Sequence, residues 1–84
     1  KNHQDPTSHI IELLNKAVVA ATDGDLHLQF DENNRTVLLL TRVSQVKQTI
    51  SINTLTPVEL MCRLTEAIKT YLYLKCFYIL HIVI

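Results

Sequence analysis

The chain has a single glycine in 84 residues. A phosphate-cradling loop and a dinucleotide-binding fingerprint each need several glycines, so both are excluded. Cysteine is nearly as scarce. Cys62 and Cys76 are the only two, and they make neither a disulfide framework nor a paired-thiol redox motif. Both are read as buried or half-buried free thiols in a reducing compartment. Net charge is zero, so no strong field steers the chain to nucleic acid or to an anionic membrane. The serines are few and none sits in a nucleophile elbow. His3, His9, His27 and His81 are scattered and form no metal-ligand cluster. Asp23, Asp25, Asp31 and Glu32 lack the alternate spacing and central glycine of a calcium loop. No catalytic residue, metal site or cofactor is assigned, and the chain is read as non-enzymatic.

What is present is apolar: 48% of the residues, enough to build a core. The length makes one small domain, residues 1–84, that buries only about 60–65% of its unfolded surface. Residues 1–5 read as a disordered lead, with Asp5-Pro6 offering a helix start. Ile10, Ile11, Leu14, Ala17, Val18 and Ala21 then fall on one face of a helix, while Glu12, Asn15 and Lys16 lie away from it. Val19 is an apolar exception on the far side. Gly24 is the expected left-handed cap that ends this helix.

Leu26, Leu28 and Phe30 alternate with His27 and Gln29, the pattern of a strand with one buried face. Asp31 to Asn34 is a polar turn in which Asn tolerates positive φ. Thr36 to Val43 carries Val37-Leu38-Leu39-Leu40, apolar on both faces, as a central strand is. Ser44-Gln45 is read as a tight turn. In a third strand, Val46 to Ile52, residues Gln48, Ile50 and Ile52 share one face; Lys47, Thr49 and Ser51 share the other, which is read as wet.

Thr56-Pro57-Val58-Glu59 is the sharpest local signal. Thr56 and Glu59 are spaced for a capping box, Pro57 stands at the first helical position, and Leu55 and Leu60 are placed as a hydrophobic staple. The helix is expected to run to about Tyr71, with Val58, Met61, Leu64, Thr65, Ile68, Tyr71 and Leu72 inside. The resulting fold class is α+β, in the order α-β-β-β-α, with an antiparallel three-stranded meander and two helices on one of its faces.

Tyr73 to Ile84 is an apolar tail, rich in aromatic and β-branched residues and interrupted by Lys75 and His81. Three outcomes are open. The first is a buried fourth strand, beside the others or paired with a second chain. The second is continuation of the helix into a partner's groove. The third is a membrane anchor, although a bilayer span needs about 20 apolar residues. His81 is read as a core histidine with one hydrogen-bonded nitrogen.

Ile10 to Ala17, followed by Gly24-Asp25-Leu26-His27-Leu28, resembles the N-terminal domain of type II secretion and type IV pilus ATPases. In that family a helix leads into a Ser-Asp-Leu/Ile-His-Leu/Ile strand; Gly24 stands here for the Ser. The resemblance covers about half the chain and implies a non-catalytic accessory domain. Leu26 to Glu32, with Arg35-Thr36-Val37, is similar to the flagellar FlaG family, which also has a hairpin and a closing helix. The α-β-β-β-α order is shared by double-stranded-RNA-binding domains, but the start of the second helix has no base until Arg63.

The sequence therefore points to a protein-interaction or self-association module. Its expected interface is the third-strand edge, Lys47, Thr49 and Ser51, or the tail, Phe77, Tyr78, Ile79 and Ile82. An accessory domain of a secretion or pilus motor, and a weak RNA binder using Arg35, Arg42 and Lys47, are the alternatives. The expected partner is a protein or a second copy, rather than nucleic acid or membrane. The polar N-terminus shows no signal peptide, and the expected location is the cytoplasm.

Overall fold

The computed structural model describes residues 6–83. Helix α1 (Pro6–Ala21) leads into strands β1 (Leu26–Asp31), β2 (Thr36–Thr41) and β3 (Val46–Ser51), and helix α2 (Pro57–Val83) closes the chain. The sheet is antiparallel in the order β1-β2-β3, as the alternating pattern predicts. The expected lead lies outside the described residues, apart from the start of α1 at Pro6.

Cross-strand register fixes which side chains meet. Leu28 opposes Leu39, Phe30 opposes Val37, and Val37 in turn opposes Ile50. These residues share one sheet face, because directly opposed side chains point the same way. Ile11 and Val18 of α1 and Leu60 and Leu64 of α2 close over that face into one core. Both helices therefore lie on the same side of the sheet. The opposite face is not all wet: Leu40 is buried without belonging to this core.

Each junction has a local cause. The end of α1 is a Schellman arrangement, in which Asp23 N–H donates to Ala20 O and Gly24 N–H to Val19 O at 2.9 Å. Gly24 has φ of +81°, as expected, but the left-handed cap position itself is Asp23 at +53°. The first hairpin turn is built on Asp31, whose Oδ1 accepts from Asn33 N–H at 3.1 Å and Asn34 N–H at 3.3 Å. Arg35, not an asparagine, carries the positive φ there. The second hairpin turns at Arg42-Val43 rather than Ser44-Gln45: Ser44 N–H donates to Thr41 O, and Ser44 follows with φ of +64°. The Thr56–Glu59 box forms as read. Thr56 N–H donates to Glu59 Oε1 at 2.8 Å and Glu59 N–H to Thr56 Oγ1 at 3.1 Å.

The main departure is α2. It does not stop near Tyr71, and Tyr73 to Val83 is not a fourth strand; the helix continues through it for 27 residues in all. No glycine or proline follows Pro57, so nothing in the sequence ends the helix, and the backbone bonds already running in register carry it through β-branched residues. The inward face is also turned. Leu60 and Leu64 are buried and Ala67, Ile68 and Tyr71 pack beside them, whereas Val58, Met61 and Leu72 are exposed and so is Thr65. The staple at Leu55 and Leu60 sets this rotation, because a buried Leu60 brings residues three and four further on beneath the helix. In α1, Ala17 and Ala21 are exposed too; burial concentrates on Ile11 and Val18.

Length then dictates shape. A six-residue strand spans roughly 20 Å, and 27 helical residues span roughly 40 Å. About half of α2 therefore has no sheet beneath it. The radius of gyration is 14.2 Å, against roughly 12 Å for a compact chain of this length. The longest dimension, 57 Å against 22 and 19 Å, comes from this overhang.

Candidate interaction surface

The overhang begins where α2 passes the end of the sheet, and a charge cluster marks the place. Asp25, in the turn before β1, accepts from Arg42 Nη2 at 2.9 Å and from Lys75 Nζ. Arg42 Nη2 also donates to Asp23 O at 3.0 Å. Lys75, then Arg42, hold the Asp25 carboxyl below its usual value of 3.8, and the same contact raises Lys75 above 10.5.

The sign of the linkage is set by these directions. The depressed Asp25 contributes stability above 3.8 and loses it as pH falls through its folded pKa. The raised Lys75 contributes fully below 10.5 and loses it only as pH rises through its own. The cluster is therefore constant across neutral pH. In an NMR titration the Asp25 side-chain carbon is expected to inflect below 3.8; an inflection at or above that value would mean that the two cations are not held there in solution.

Beyond this point the helix is apolar on every side except at His81. Tyr73 is 72% exposed, Phe77 61%, Tyr78 68% and Ile82 67%. Leu74, Ile79, Leu80 and Val83 are exposed as well. At ordinary side-chain areas this is roughly 1,000 Å² of apolar surface, against about 300–600 Å² for the largest patch on a typical monomer. A helix that is apolar all round is one that is normally covered. His81 is not a core residue but is exposed on this segment; its Nδ1 donates back to Phe77 O at 3.0 Å, and its ring centroid lies 4.1 Å from that of Phe77 with the two planes tilted at 50°. Cys62 and Cys76 are likewise exposed free thiols rather than buried ones.

A groove of about 970 Å³ runs along the flank of α2 from Val58 to Tyr78, with Lys47 and Gln48 of β3 on its other wall. β3 has only Ile50 buried. The two sheet edges differ. On β1, Leu26 N–H donates to Thr22 Oγ1 at 3.0 Å and Leu28 N–H to Asn15 Oδ1 at 2.7 Å. These groups are bound to Asn15 within α1 and to Thr22 just after it, and so point away from β2, which closes that edge. Asn15 therefore faces the sheet, contrary to the face assigned from periodicity. On β3, Ile52 N–H donates to Arg35 O, and antiparallel alternation then turns the main chain of Thr49 and Ser51 outward. Lys47 falls in a bulge, since Leu39 pairs with Gln48 and Leu40 with Val46. A bulge and an edge lysine both discourage strand pairing.

Arg35 and Arg42 lie at opposite ends of β2, so the basic residues Arg35, Arg42 and Lys47 do not share one patch. Arg35 lies 5.3 Å over the Phe30 ring and donates to Thr7 Oγ1. Among the described residues no group of three His, Cys, Asp or Glu side chains is placed to hold a metal ion, and no helix is long and apolar enough to cross a membrane. Compared with protein-family models, curated proteins and solved structures, the chain matches none of them.

Proposed function

We propose that this chain is a non-catalytic protein-interaction module, working by self-association, with the overhanging half of α2 as its contact surface. The observation that carries the reading is the exposed apolar segment Tyr73–Val83, held out from the domain as a helix. Phe77, Tyr78, Ile79 and Ile82 belong to it. The two exposed thiols support a reducing compartment such as the cytoplasm.

Strand addition at β3 is the second mode, favoured by the outward main chain of Thr49 and Ser51 and opposed by the bulge at Lys47. The overhang has the larger apolar area and nothing that discourages contact.

Light scattering after size exclusion tests the proposal. The full chain is expected as a discrete dimer or larger at tens of micromolar (an ordinary working range). The double variant Phe77→Glu, Ile82→Glu is expected as a monomer with an unchanged circular dichroism spectrum, since neither side chain enters the core. A monomeric full chain would end the self-association reading. Loss of association on changing Thr49 and Ser51 to proline, but not on changing the overhang, would move the interface to β3.

A further inference from the structure

We infer that Asp25 is an ionic latch, which holds the base of the overhang and so controls whether Tyr73–Val83 is presented as a helix. The holding is a property of the fold; its consequence for contact rests on the reading that the overhang is the contact surface. Apolar support for α2 runs out at Tyr71, the last of its residues packed against the core. Lys75 follows four residues later, on the same face of the helix, and its Nζ donates to Asp25 Oδ2. Among the described residues, no other side-chain hydrogen bond or ion pair ties α2, past its cap, to another element; the rest lie within the helix. The latch therefore takes over where packing stops.

Three segments meet on this one carboxylate. Asp25 Oδ1 accepts from Arg42 Nη2 at 2.9 Å, and Arg42 stands directly after β2. A Cβ at Gly24 would lie 3.4 Å from both Nη1 and Nη2 of Arg42. The guanidinium is thus laid against the glycine and reaches Asp25 with no side chain between. Arg42 fixes the carboxylate from the sheet side, and Lys75 takes its other oxygen from the helix side. Asp25 is the sheltered member, with its side chain 21% exposed against 65% for Arg42 and 46% for Lys75. All three stay charged at neutral pH, which leaves ionic strength as the lever: the screening length falls from about 30 Å at 0.01 M salt to about 3 Å at 1 M.

The overhang does not hold itself. Of its residues only Leu74, Lys75 and Leu80 are strong helix formers; the aromatic and β-branched others are weaker. A helix shorter than about 12–15 residues is marginal in water when it stands alone, and the overhang is shorter. Its helix is kept by what anchors its first turn, and Lys75 lies in that turn. With the latch closed, Phe77, Tyr78 and Ile82 project from a fixed helix. With it open, the segment frays and the surface is no longer arrayed.

Amide exchange of the full chain, at neutral pH and low micromolar concentration, tests the latch. Asp25→Asn keeps the shape and removes the charge. Exchange at Phe77 to Leu80 is expected to quicken about three- to fivefold, the weight of an exposed ion pair, while Leu28, Val37 and Leu64 in the core keep their rates. Lys75→Met is expected to do the same, and the double variant no more than either, because both remove one contact. In the parent chain, raising sodium chloride from about 0.01 M to 1 M is expected to quicken the same amides. In Asp25→Asn it is expected to leave them unchanged, a difference that a merely structural Asp25 would not give. Unchanged exchange at Phe77 to Leu80 in both single variants overturns the latch. So does equal quickening of core and overhang in Asp25→Asn, which makes Asp25 a residue of the turn alone. Light scattering at higher concentration separates the latch from the reading beneath it. Asp25→Asn is expected to associate about three- to fivefold more weakly than the parent. Equal association overturns the control of contact. A parent that stays monomeric while its amides respond as expected ends the self-association reading and leaves the latch standing.

Discussion

Leu39→Ala is expected to lower the free energy of unfolding by about 2–5 kcal/mol, the range for deleting a fully packed leucine. Leu39 is 2% exposed, sits at the centre of β2, and belongs to the core that both helices close over. A domain of this length has roughly 4–12 kcal/mol in total, so the substitution takes a large share of it. Ile82→Ala removes a side chain of similar size from the overhang, where it is 67% exposed. It is expected to change the stability of the monomer by no more than about 0.5 kcal/mol. Urea unfolding of both variants at low protein concentration gives the comparison. A loss below about 1 kcal/mol for Leu39→Ala would contradict the register that places it inside. Equal losses for the two variants would mean that the overhang folds back as core. Raising the concentration then separates the roles: the transition of the parent chain moves with concentration if association stabilises it, and that of Ile82→Ala moves less.

The parts of the fold that were legible in the sequence are those set by short-range rules. Alternation in Leu26, Leu28 and Phe30 placed β1, and Thr56, Pro57 and Glu59 placed the start of α2, because each signal sits within a few residues of its effect. What the sequence obscured was the end of α2. Tyr73–Val83 has the aromatic and β-branched content of a strand, and propensity alone favours that reading. Continuing a helix already formed needs only one more residue fixed per bond, whereas a new strand needs a turn, and no turn residue lies between Thr70 and Ile84. The inward face of α2 was misjudged for a related reason: with apolar residues at Val58, Met61 and Leu72 as well as Leu60, Leu64 and Ile68, the helix has two usable stripes, and only the staple decides between them. Of the candidate residues, Phe77, Tyr78, Ile79 and Ile82 come together on the overhang, while Lys47, Thr49 and Ser51 lie on a separate edge.

Thr22 and Asn15 were assigned no role by periodicity, yet they close one edge of the sheet, and their removal should be felt. Thr22 is the buried polar residue of the core region, 4% exposed. Its hydroxyl donates to Val18 O at 2.8 Å and accepts from Leu26 N–H at 3.0 Å, tying the last turn of α1 to the first residue of β1. Thr22→Val keeps the shape and leaves the Leu26 N–H, at a fully buried residue, with no acceptor. The expected cost is about 1–3 kcal/mol. Asn15→Ala frees Leu28 N–H in the same way; because that bond is only partly buried, water can replace some of it and the loss should fall toward the lower end of that range. Amide exchange is the sharper readout, since Leu26 and Leu28 should each lose protection in their own variant while Val37 and Ile50, paired between β2 and β3, keep theirs. Unchanged protection at Leu28 in Asn15→Ala would show that the helix does not cover that edge in solution. The two variants also bear on function. With β1 closed by α1 and β3 bent by its bulge, the parent chain offers strand pairing little opportunity, which favours α2 as the proposed contact surface. Uncapping β1 exposes a second route, because free edge groups recruit other strands. The double variant Asn15→Ala, Thr22→Val should therefore form larger, heterogeneous aggregates even when Phe77→Glu and Ile82→Glu have disabled the overhang.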